Sequence, residues 1–336
     1  MKELGFEVRK LTADDLSIQP SCFADDKAEL YRHLNWFMFF LENDENPYFY
    51  MRNMEPDYYR WGGIVRLGSG PLSPHTSIHF ADLAQKKDQV KDYGKVLDNP
   101  LTYGISSTQP FTNFTYTENG AHWIEGNVFD LKAEYFPYAI FVHRNSPQKI
   151  DYWHQNVILT GTYEGKSIKA LGCFDRLFSP KDQRNTVITE ATQYVWSYFS
   201  GIRKDGRKEC AYVNIHERNG TGVGYYWLEG EDPVLSTEVY LDADWNRLPY
   251  TPDNDPTIHF SRAVWKFGGK EIHCECKWGS KGFLEKPRLD TIGLSQTYGT
   301  WYEGKNSYSH ELWFNINENM GMTIDKIKEM GFQYKI

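Results

Sequence analysis

Asp175 is the residue whose type and setting point most directly to chemistry. It follows the segment Ile168 to Phe174, in which strand alternation places Asp175 on the same face as Cys173. An aspartate that continues an apolar face is either paired with a basic group or held in its protonated form, as a general acid requires. The alternative is a buried structural carboxylate that forms a salt bridge with the adjacent Arg176 or with another strand, or that caps the turn into Ser179-Pro180.

His154 is the second candidate, because it lies on the strand that leads into the same hairpin. The hairpin turns at Glu164-Gly165-Lys166, and alternation places His154 on the more polar face of its strand. A histidine there can orient a carboxylate or relay a proton. The alternative is a hydrogen-bonded structural histidine or an exposed one. We predict Asp175 and His154 as catalytic residues.

Aromatic residues make up 16% of the chain, and with a few polar groups they are the usual lining of an apolar pocket. We expect such a pocket to hold the substrate, although the same rings could simply fill a β-core. The predicted substrate-binding residues are Trp36, His79, Tyr163, Cys173, Trp196 and Tyr198.

No metal or organic cofactor is expected. Cys274 and Cys276 would share one strand face without the two-residue gap of zinc knuckles, and the spacing of His75, His79 and Asp82 is not diagnostic. The sequence contains no Gly-rich phosphate loop, no G-x-S-x-G and no H-E-x-x-H.

Charge and hydropathy limit the kinds of partner that the protein is expected to bind. The net charge of −8 and the lack of a basic run argue against nucleic acid and anionic membranes. No apolar run approaches the roughly 20 residues that span a bilayer. Five cysteines without framework spacing, and an N-terminal stretch without a secretory signal, lead us to expect a cytoplasmic protein with reduced thiols. The oligomeric state stays open.

Short strands and an internal repeat define the expected fold. GTYEGKS at residues 161–167 recurs as GTWYEGKNS at residues 299–307, and short aromatic strands separated by polar turns fill the rest. The predicted helices are few, over Ala81 to Tyr93 and over Thr323 to Met330. A chain of 336 residues suggests two domains. We therefore predict an all-β protein of two duplicated antiparallel barrels, residues 1–183 and 184–336.

Several landmarks together resemble a known family. They are the aromatic strand Trp36 to Leu41, the stretch His75 to Asp82, the strand end Gly172 to Asp175, and Trp196 to Phe199 followed by Asp205-Gly206-Arg207. In this order they resemble the AttH-like, lipocalin-related proteins that include carotenoid 1,2-hydratase and kievitone hydratase. The resemblance covers about residues 33–317. It implies two calycin-type barrels, with an apolar ligand in one barrel or near their junction.

The resemblance also implies a reaction. In the hydratase branch an Asp at a Tyr-x-Asp strand end protonates a double bond, and Asp175 falls at the matching place, with Cys173 where the family has Tyr. The His-x-Trp pair of the family has no direct match. Relatives on this scaffold also cyclise or isomerise polyketide and terpenoid substrates.

Three functions are therefore open. The first is a cofactor-independent hydratase, cyclase or isomerase that acts on a hydrophobic small molecule, with Asp175 as the acid. The second is a lipocalin-like binding protein without chemistry. The third is a structural β-protein whose aromatic residues only form the core.

Overall fold

The structure is a computed structural model that describes most, but not all, of the chain. The described residues are 4–12, 15, 32–41, 48–54, 61–66, 76–77, 90–96, 103–108, 111–125, 129–144, 150–179, 195–247, 258–281, 294–305, 310–320 and 322–333. Apart from one short helix, the regular structure in these residues is β-strand. None of their helices has the length and apolar character of a membrane span.

The first sheet contains twelve antiparallel strands, all from the first part of the chain. They are β1 (Leu4–Arg9), β2 (Arg32–Leu41), β3 (Tyr48–Met54), β4 (Trp61–Arg66), β5 (Thr76–Ser77), β6 (Val90–Val96), β7 (Tyr103–Thr108), β8 (Phe111–Thr117), β9 (Gly120–Glu125), β10 (Phe129–Arg144), β11 (Ile150–Tyr163) and β12 (Lys166–Ser179). β1 lies off the main path and pairs with β10.

The second sheet contains nine strands, and it belongs to a second compact unit. They are β13 (Val195–Arg203), β14 (Lys208–Ile215), β15 (Gly222–Leu228), β16 (Val234–Ser236), β17 (Tyr240–Asn246), β18 (His259–Phe267), β19 (Lys270–Lys281), β20 (Leu294–Glu303) and β21 (His310–Met320). The helix α1 (Ile324–Glu329) follows, within the predicted range Thr323 to Met330, with Thr323 as its N-cap and Gly331 in the left-handed region after it.

Both sheets have the same connectivity. In each one the strands form a meander whose last strand returns to pair with its first, β12 with β2 and β21 with β13. The path is interrupted after the fourth strand of each meander, between β5 and β6 and between β16 and β17. This shared order supports the predicted all-β architecture of two lipocalin-like halves related by duplication.

The repeated sequence motif occupies the same place in both halves. Glu164-Gly165 forms the turn between β11 and β12, and both residues have positive φ angles, 47° and 77°. A two-residue turn of this kind has the twist that an antiparallel hairpin needs. Gly161 and Gly299 begin the two copies, and a Cβ atom on either would lie about 2 Å from a carbonyl oxygen of the neighbouring strand. Glycine is therefore required at both positions because the strands approach closely.

The first sheet curls around an apolar core. Phe39 on β2 and Trp123 on β9 are separated by three intervening strands, yet their ring centroids are only 5.8 Å apart. A flat sheet would hold them about 19 Å apart at 4.8 Å per strand. The face that carries them is therefore concave, and its core includes Trp153, Leu159 and Phe174.

Two predictions about secondary structure need correction. Residues 4–9 form a strand that pairs with β10, so β-structure begins well before the predicted first strand, Trp36 to Leu41. Residues 90–93 belong to β6, whereas the polar composition of residues 81–93 predicted a helix. Residues 81–89 lie outside the described residues. The predicted boundary between residues 183 and 184 also lies outside them and stays a prediction.

Candidate functional site

His154 and Asp175 form a buried hydrogen-bonded pair in the first sheet. His154 Nδ1 contacts Asp175 Oδ1, and the two residues are 1% and 3% exposed. The ring and the carboxyl group are therefore shielded from bulk water. The structure thus brings together the two residues predicted to be catalytic, and it does so on adjacent strands.

The hairpin register explains this meeting. Tyr163 and Lys166 face each other across the Glu164-Gly165 turn. In every further pair, the two partners are the same number of residues away from the turn. His154 lies nine residues before Tyr163, and Asp175 lies nine residues after Lys166, so the two are direct cross-strand partners. Side chains of such partners point to the same face of the sheet.

Burial distinguishes this pair from two similar ones. His143 Nδ1 lies 2.7 Å from Asp151 Oδ1, and His122 Nε2 lies 2.6 Å from Asp130 Oδ1. The side chains of both pairs are at least one third exposed. Water screens those two pairs, whereas the same contact between His154 and Asp175 operates in a medium of low dielectric constant.

Asn156 and Cys173 complete a polar group around the pair. They are direct cross-strand partners one step closer to the turn, and both are buried. The Oδ1 atom of Asn156 lies 3.3 Å from Nε2 of His154. We call His154, Asn156, Cys173 and Asp175 the polar quartet. Asn156 was not among the predicted site residues, but the symmetry of the hairpin about its turn identifies it.

A bulge in β10 lies beside the polar quartet. Tyr135 pairs with Val157 and Ala139 pairs with Gln155, so three residues of β10 oppose the single residue Asn156. Pro137 is one of the three, and it has no N–H group to donate to the ladder. Gln155 donates from Nε2 to the carbonyl oxygen of Phe136 at 2.9 Å, which satisfies a group released by the bulge. Bulges of this kind often re-aim side chains next to functional sites.

Apolar residues surround the polar quartet on its own face. Ile140 is the β10 partner of His154, and the next cross-strand pair towards the turn is Ile158 with Leu171. All three are at most 5% exposed. A carboxyl group and an imidazole in these surroundings suit an apolar ligand better than a charged one.

The polar quartet lies on the convex face, opposite the apolar core. Trp153, which precedes His154, belongs to the core, and so does Phe174, which precedes Asp175. Arg176 is fully buried, with its guanidinium carbon 5.2 Å from the centre of the Trp153 ring. It therefore lies on the concave face, and the alternative pairing of Asp175 with Arg176 is not what the structure shows.

The other predicted site residues have different outcomes. Cys173 belongs to the polar quartet, and the backbone of Trp36 on β2 faces that of Asp175. Tyr163 packs in the apolar core, on the opposite face from Asp175. His79 lies outside the described residues. Trp196 and Tyr198 are buried in β13, in the second unit, where Tyr198 stacks on Tyr212 at 5.5 Å.

The second half carries no copy of the His–Asp pair at the matching position. Trp196 faces Glu318 in the β13–β21 register, as Trp36 faces Asp175 in the β2–β12 register. The strand partner of Glu318 is Gln296, where the first half has His154. Duplication therefore preserved an acidic residue opposite the tryptophan, but the histidine occurs only in the first half.

A second buried polar cluster, which the sequence did not reveal, lies in the second sheet. The Glu209 carboxylate accepts hydrogen bonds from Arg203, Tyr226 and His310, at 2.6 to 2.9 Å. Burial alone raises the pKa of Glu209, but the bonds from Arg203, His310 and Tyr226 outweigh it and lower the pKa to about 2. The Glu209 carboxylate and its three donor side chains are all hydrogen-bonded, so we assign this cluster a structural role.

Cys274 and Cys276 are held as thiols inside the second sheet. Burial raises the pKa of Cys276 to about 12, although its sulfur accepts hydrogen bonds from Thr297 at 3.0 Å and from Asn317 at 3.5 Å. Burial also raises the pKa of Cys274 well above its usual range. Protonated thiols are poor nucleophiles.

The fold and the polar quartet together describe a duplicated, lipocalin-like β-protein with one buried His–Asp pair among its described residues. No protein-family model matches the chain. No curated protein matches it in sequence. The solved structures that are similar to it include two from the group that the sequence resembles.

The first is a protein provisionally identified as AttH from Nitrosomonas europaea. Its TM-score is 0.49 at 13% sequence identity, over 86% of this chain and 92% of that chain. The second is kievitone hydratase from Nectria haematococca. Its TM-score is 0.43 at 10% identity, over 85% of this chain and 88% of that chain.

Proposed function

We propose that this protein is a cofactor-independent acid catalyst that hydrates, cyclises or isomerises a hydrophobic terpenoid or polyketide-like molecule. The observation that carries the proposal is the buried hydrogen bond between His154 Nδ1 and Asp175 Oδ1. It joins a carboxyl group, the simplest proton donor, to a group that can stabilise its conjugate base.

The hydrogen bond gives the two carboxyl oxygens of Asp175 different roles. When His154 donates from Nδ1 to Oδ1, the acidic proton of a protonated Asp175 is left on Oδ2. Oδ2 is then the atom that delivers the proton to a ligand on the same face. The Asn156 amide can present either its oxygen or its NH₂ group to Nε2, so it suits both neutral and protonated His154.

The proton balance of the reaction is closed without a cofactor. Asp175 transfers its proton to an alkene carbon, and the carboxylate that remains accepts a stronger hydrogen bond from His154. In hydration, water adds to the carbocation and its surplus proton returns to Asp175. In cyclisation or isomerisation, a neighbouring carbon loses the proton instead. The apolar surroundings of the pair exclude the bulk water that would quench the cation.

The experiment compares the Asp175→Asn variant with Asp151→Asn in reactions with hydrophobic metabolite extracts. Asp151 is the matched control, because its carboxyl contacts His143 Nδ1 in the same way but is partly exposed. Reactions in deuterium oxide and in heavy-oxygen water are followed by mass spectrometry. Hydration adds one labelled water molecule, while cyclisation and isomerisation leave the elemental composition unchanged and introduce deuterium at carbon.

We expect the unmodified protein and Asp151→Asn to form a labelled product, and Asp175→Asn to lose at least a hundredfold in rate. Product formation by Asp175→Asn at the normal rate contradicts the assigned acid. If the unmodified protein retains an apolar molecule without changing its mass or isotopic label, the protein is a carrier and the proposed catalysis is wrong.

A further inference from the structure

Three members of the polar quartet present the donor atoms of a transition-metal site. A ring nitrogen of His154, the sulfur of Cys173 and a carboxylate oxygen of Asp175 all lie within 4.8 Å of one another, and all three residues are buried. Nitrogen, sulfur and oxygen donors at this spacing are the ligand types that zinc uses in proteins.

The sheet holds these donors on a rigid frame. Cys173 and Asp175 are two residues apart on β12, so both side chains leave the same face of the strand. His154 approaches from the directly opposed position on β11. Sites built on neighbouring strands are more precise than sites on loops, because the ladder fixes the backbone.

Metal geometry requires only small side-chain movements. Zinc–ligand bonds of about 2.0 to 2.3 Å place the ligand atoms of one tetrahedral ion about 3.4 to 3.6 Å apart. The three donor atoms lie within 4.8 Å of one another, so no pair exceeds that spacing by more than about 1.4 Å, and His154 and Asp175 are closer together than it.

The charges and the donor types select the metal. A Cys173 thiolate and an Asp175 carboxylate together neutralise a divalent ion, which removes the large cost of burying a net charge. Thiolate and imidazole donors favour Zn²⁺ or Co²⁺ over Mg²⁺ and Ca²⁺, which prefer oxygen. Binding releases the Cys173 thiol proton and any proton that the His154–Asp175 pair holds.

We propose that His154, Cys173 and Asp175 form a binding site for a thiolate-compatible divalent cation such as Zn²⁺. The site goes beyond the proposed acid chemistry and does not depend on it. It also opposes that chemistry, because a metal-bound Asp175 carries no proton. Zinc would therefore act as an inhibitor of the acid form, displaced by protons and by chelators.

The test titrates the untagged full-length protein with Co²⁺ and records its absorption spectrum. A Co²⁺–thiolate bond gives a near-ultraviolet charge-transfer band, and tetrahedral coordination gives strong visible bands. We expect both from the unmodified protein, with stoichiometric loss when Zn²⁺ is added. The Cys173→Ser variant should lose the charge-transfer band, and Asp175→Asn should weaken Co²⁺ binding at least tenfold, as loss of a ligand does.

Matched variants assign the ligands. Cys210→Ser and Cys22→Ser should retain the charge-transfer band, and Asp151→Asn should retain the affinity for Co²⁺.

The proposal is overturned if no charge-transfer band forms, or if the band survives Cys173→Ser. It is equally overturned if Cys274→Ser or Cys276→Ser removes the band while Cys173→Ser does not. If Cys173→Ser fails to fold by circular dichroism, equal Co²⁺ affinity of Asp175→Asn and the unmodified protein overturns it. Because the readout is spectroscopic, it is independent of any turnover.

Discussion

Burial, rather than contact geometry, separates the His154–Asp175 pair from the other cross-strand pairs of the first sheet. His143–Asp151 has the same ring nitrogen and the same carboxylate oxygen in contact, but it is partly open to water. At the residue scale, the chemistry of a His–Asp pair therefore depends on whether the pair is buried or exposed to water. The same logic applies to Glu209, where burial is compensated by three donors.

Replacement of Glu209 by Gln should strongly destabilise the protein. The change leaves the Arg203 guanidinium buried without its bidentate carboxylate partner, and His310 loses the acceptor of its Nε2 atom. Removing one partner of a buried ion pair costs about 3 to 5 kcal/mol. Urea unfolding measures this loss. Asp205→Asn is the control, since its exposed contact with Arg207 should leave the free energy of unfolding unchanged. Equal stability of both variants would contradict the prediction.

Low pH should destabilise the folded protein through the Glu209 carboxylate. The folded-state pKa of Glu209, about 2, is below its ordinary value of 4.5, so the unfolded state binds the proton first as pH falls. The stability that Glu209 contributes is complete above about pH 4.5 and is lost as pH approaches 2. That loss amounts to about 3 kcal/mol. The free energy of unfolding is measured for the unmodified protein and for Glu209→Gln at several pH values. The difference between the two curves gives the contribution of Glu209.

At the scale of elements, the hairpin turn sets the register that creates the site. Alternation along β11 and β12 predicts which side chains share a face, and the structure agrees with that assignment. It does not predict which residues meet across the strands. That information lay in the Glu164-Gly165 turn, which fixes His154 opposite Asp175 and Asn156 opposite Cys173.

Gly161→Ala should destabilise the hairpin that carries the site. The new Cβ atom would lie 2.0 Å from the carbonyl oxygen of Asp130, so the backbone of β10 or β11 must move. Overpacking of this kind costs about 1 to 3 kcal/mol. Gly299→Ala should have a similar effect in the second half, where the distance to the Glu275 oxygen is 1.8 Å. Gly165→Asn is the control, because open space surrounds Gly165 and asparagine tolerates its positive φ. Thermal unfolding should show a larger loss for the alanine variants than for the control.

At the scale of the whole molecule, composition and repetition predicted the architecture, and long-range pairing was beyond them. The repeated motif correctly identified two related β halves. The return of β12 to β2 and of β21 to β13 joins segments more than a hundred residues apart. The Glu209 cluster is equally non-local, since His310 and Glu209 are separated by 101 positions. No local pattern encodes such contacts.

The described cysteines should resist modification in the native protein. Cys173, Cys210, Cys274 and Cys276 are at most 5% exposed, and burial raises the pKa values of the last two. In a Cys22→Ser background, a disulfide-exchange thiol reagent should therefore react with no thiol rapidly at mildly alkaline pH. Four thiols should react once urea unfolds the chain. A fast stoichiometric reaction of any thiol in the native state would contradict the burial of the polar quartet or of the second sheet.

The most direct test of the account is proton NMR of the His154–Asp175 hydrogen bond. A ring N–H that donates to a carboxyl group, shielded from water, gives a low-field resonance that exchanges slowly with solvent. We predict such a resonance from His154 in the unmodified protein and in Asp151→Asn, and its loss in Asp175→Asn and His154→Gln. The buried contact of His310 Nε2 with Glu209 should give a second resonance, which all these variants retain. A spectrum in which Asp175→Asn and His154→Gln lose no low-field resonance that the unmodified protein shows would contradict the buried pair on which the proposed chemistry rests.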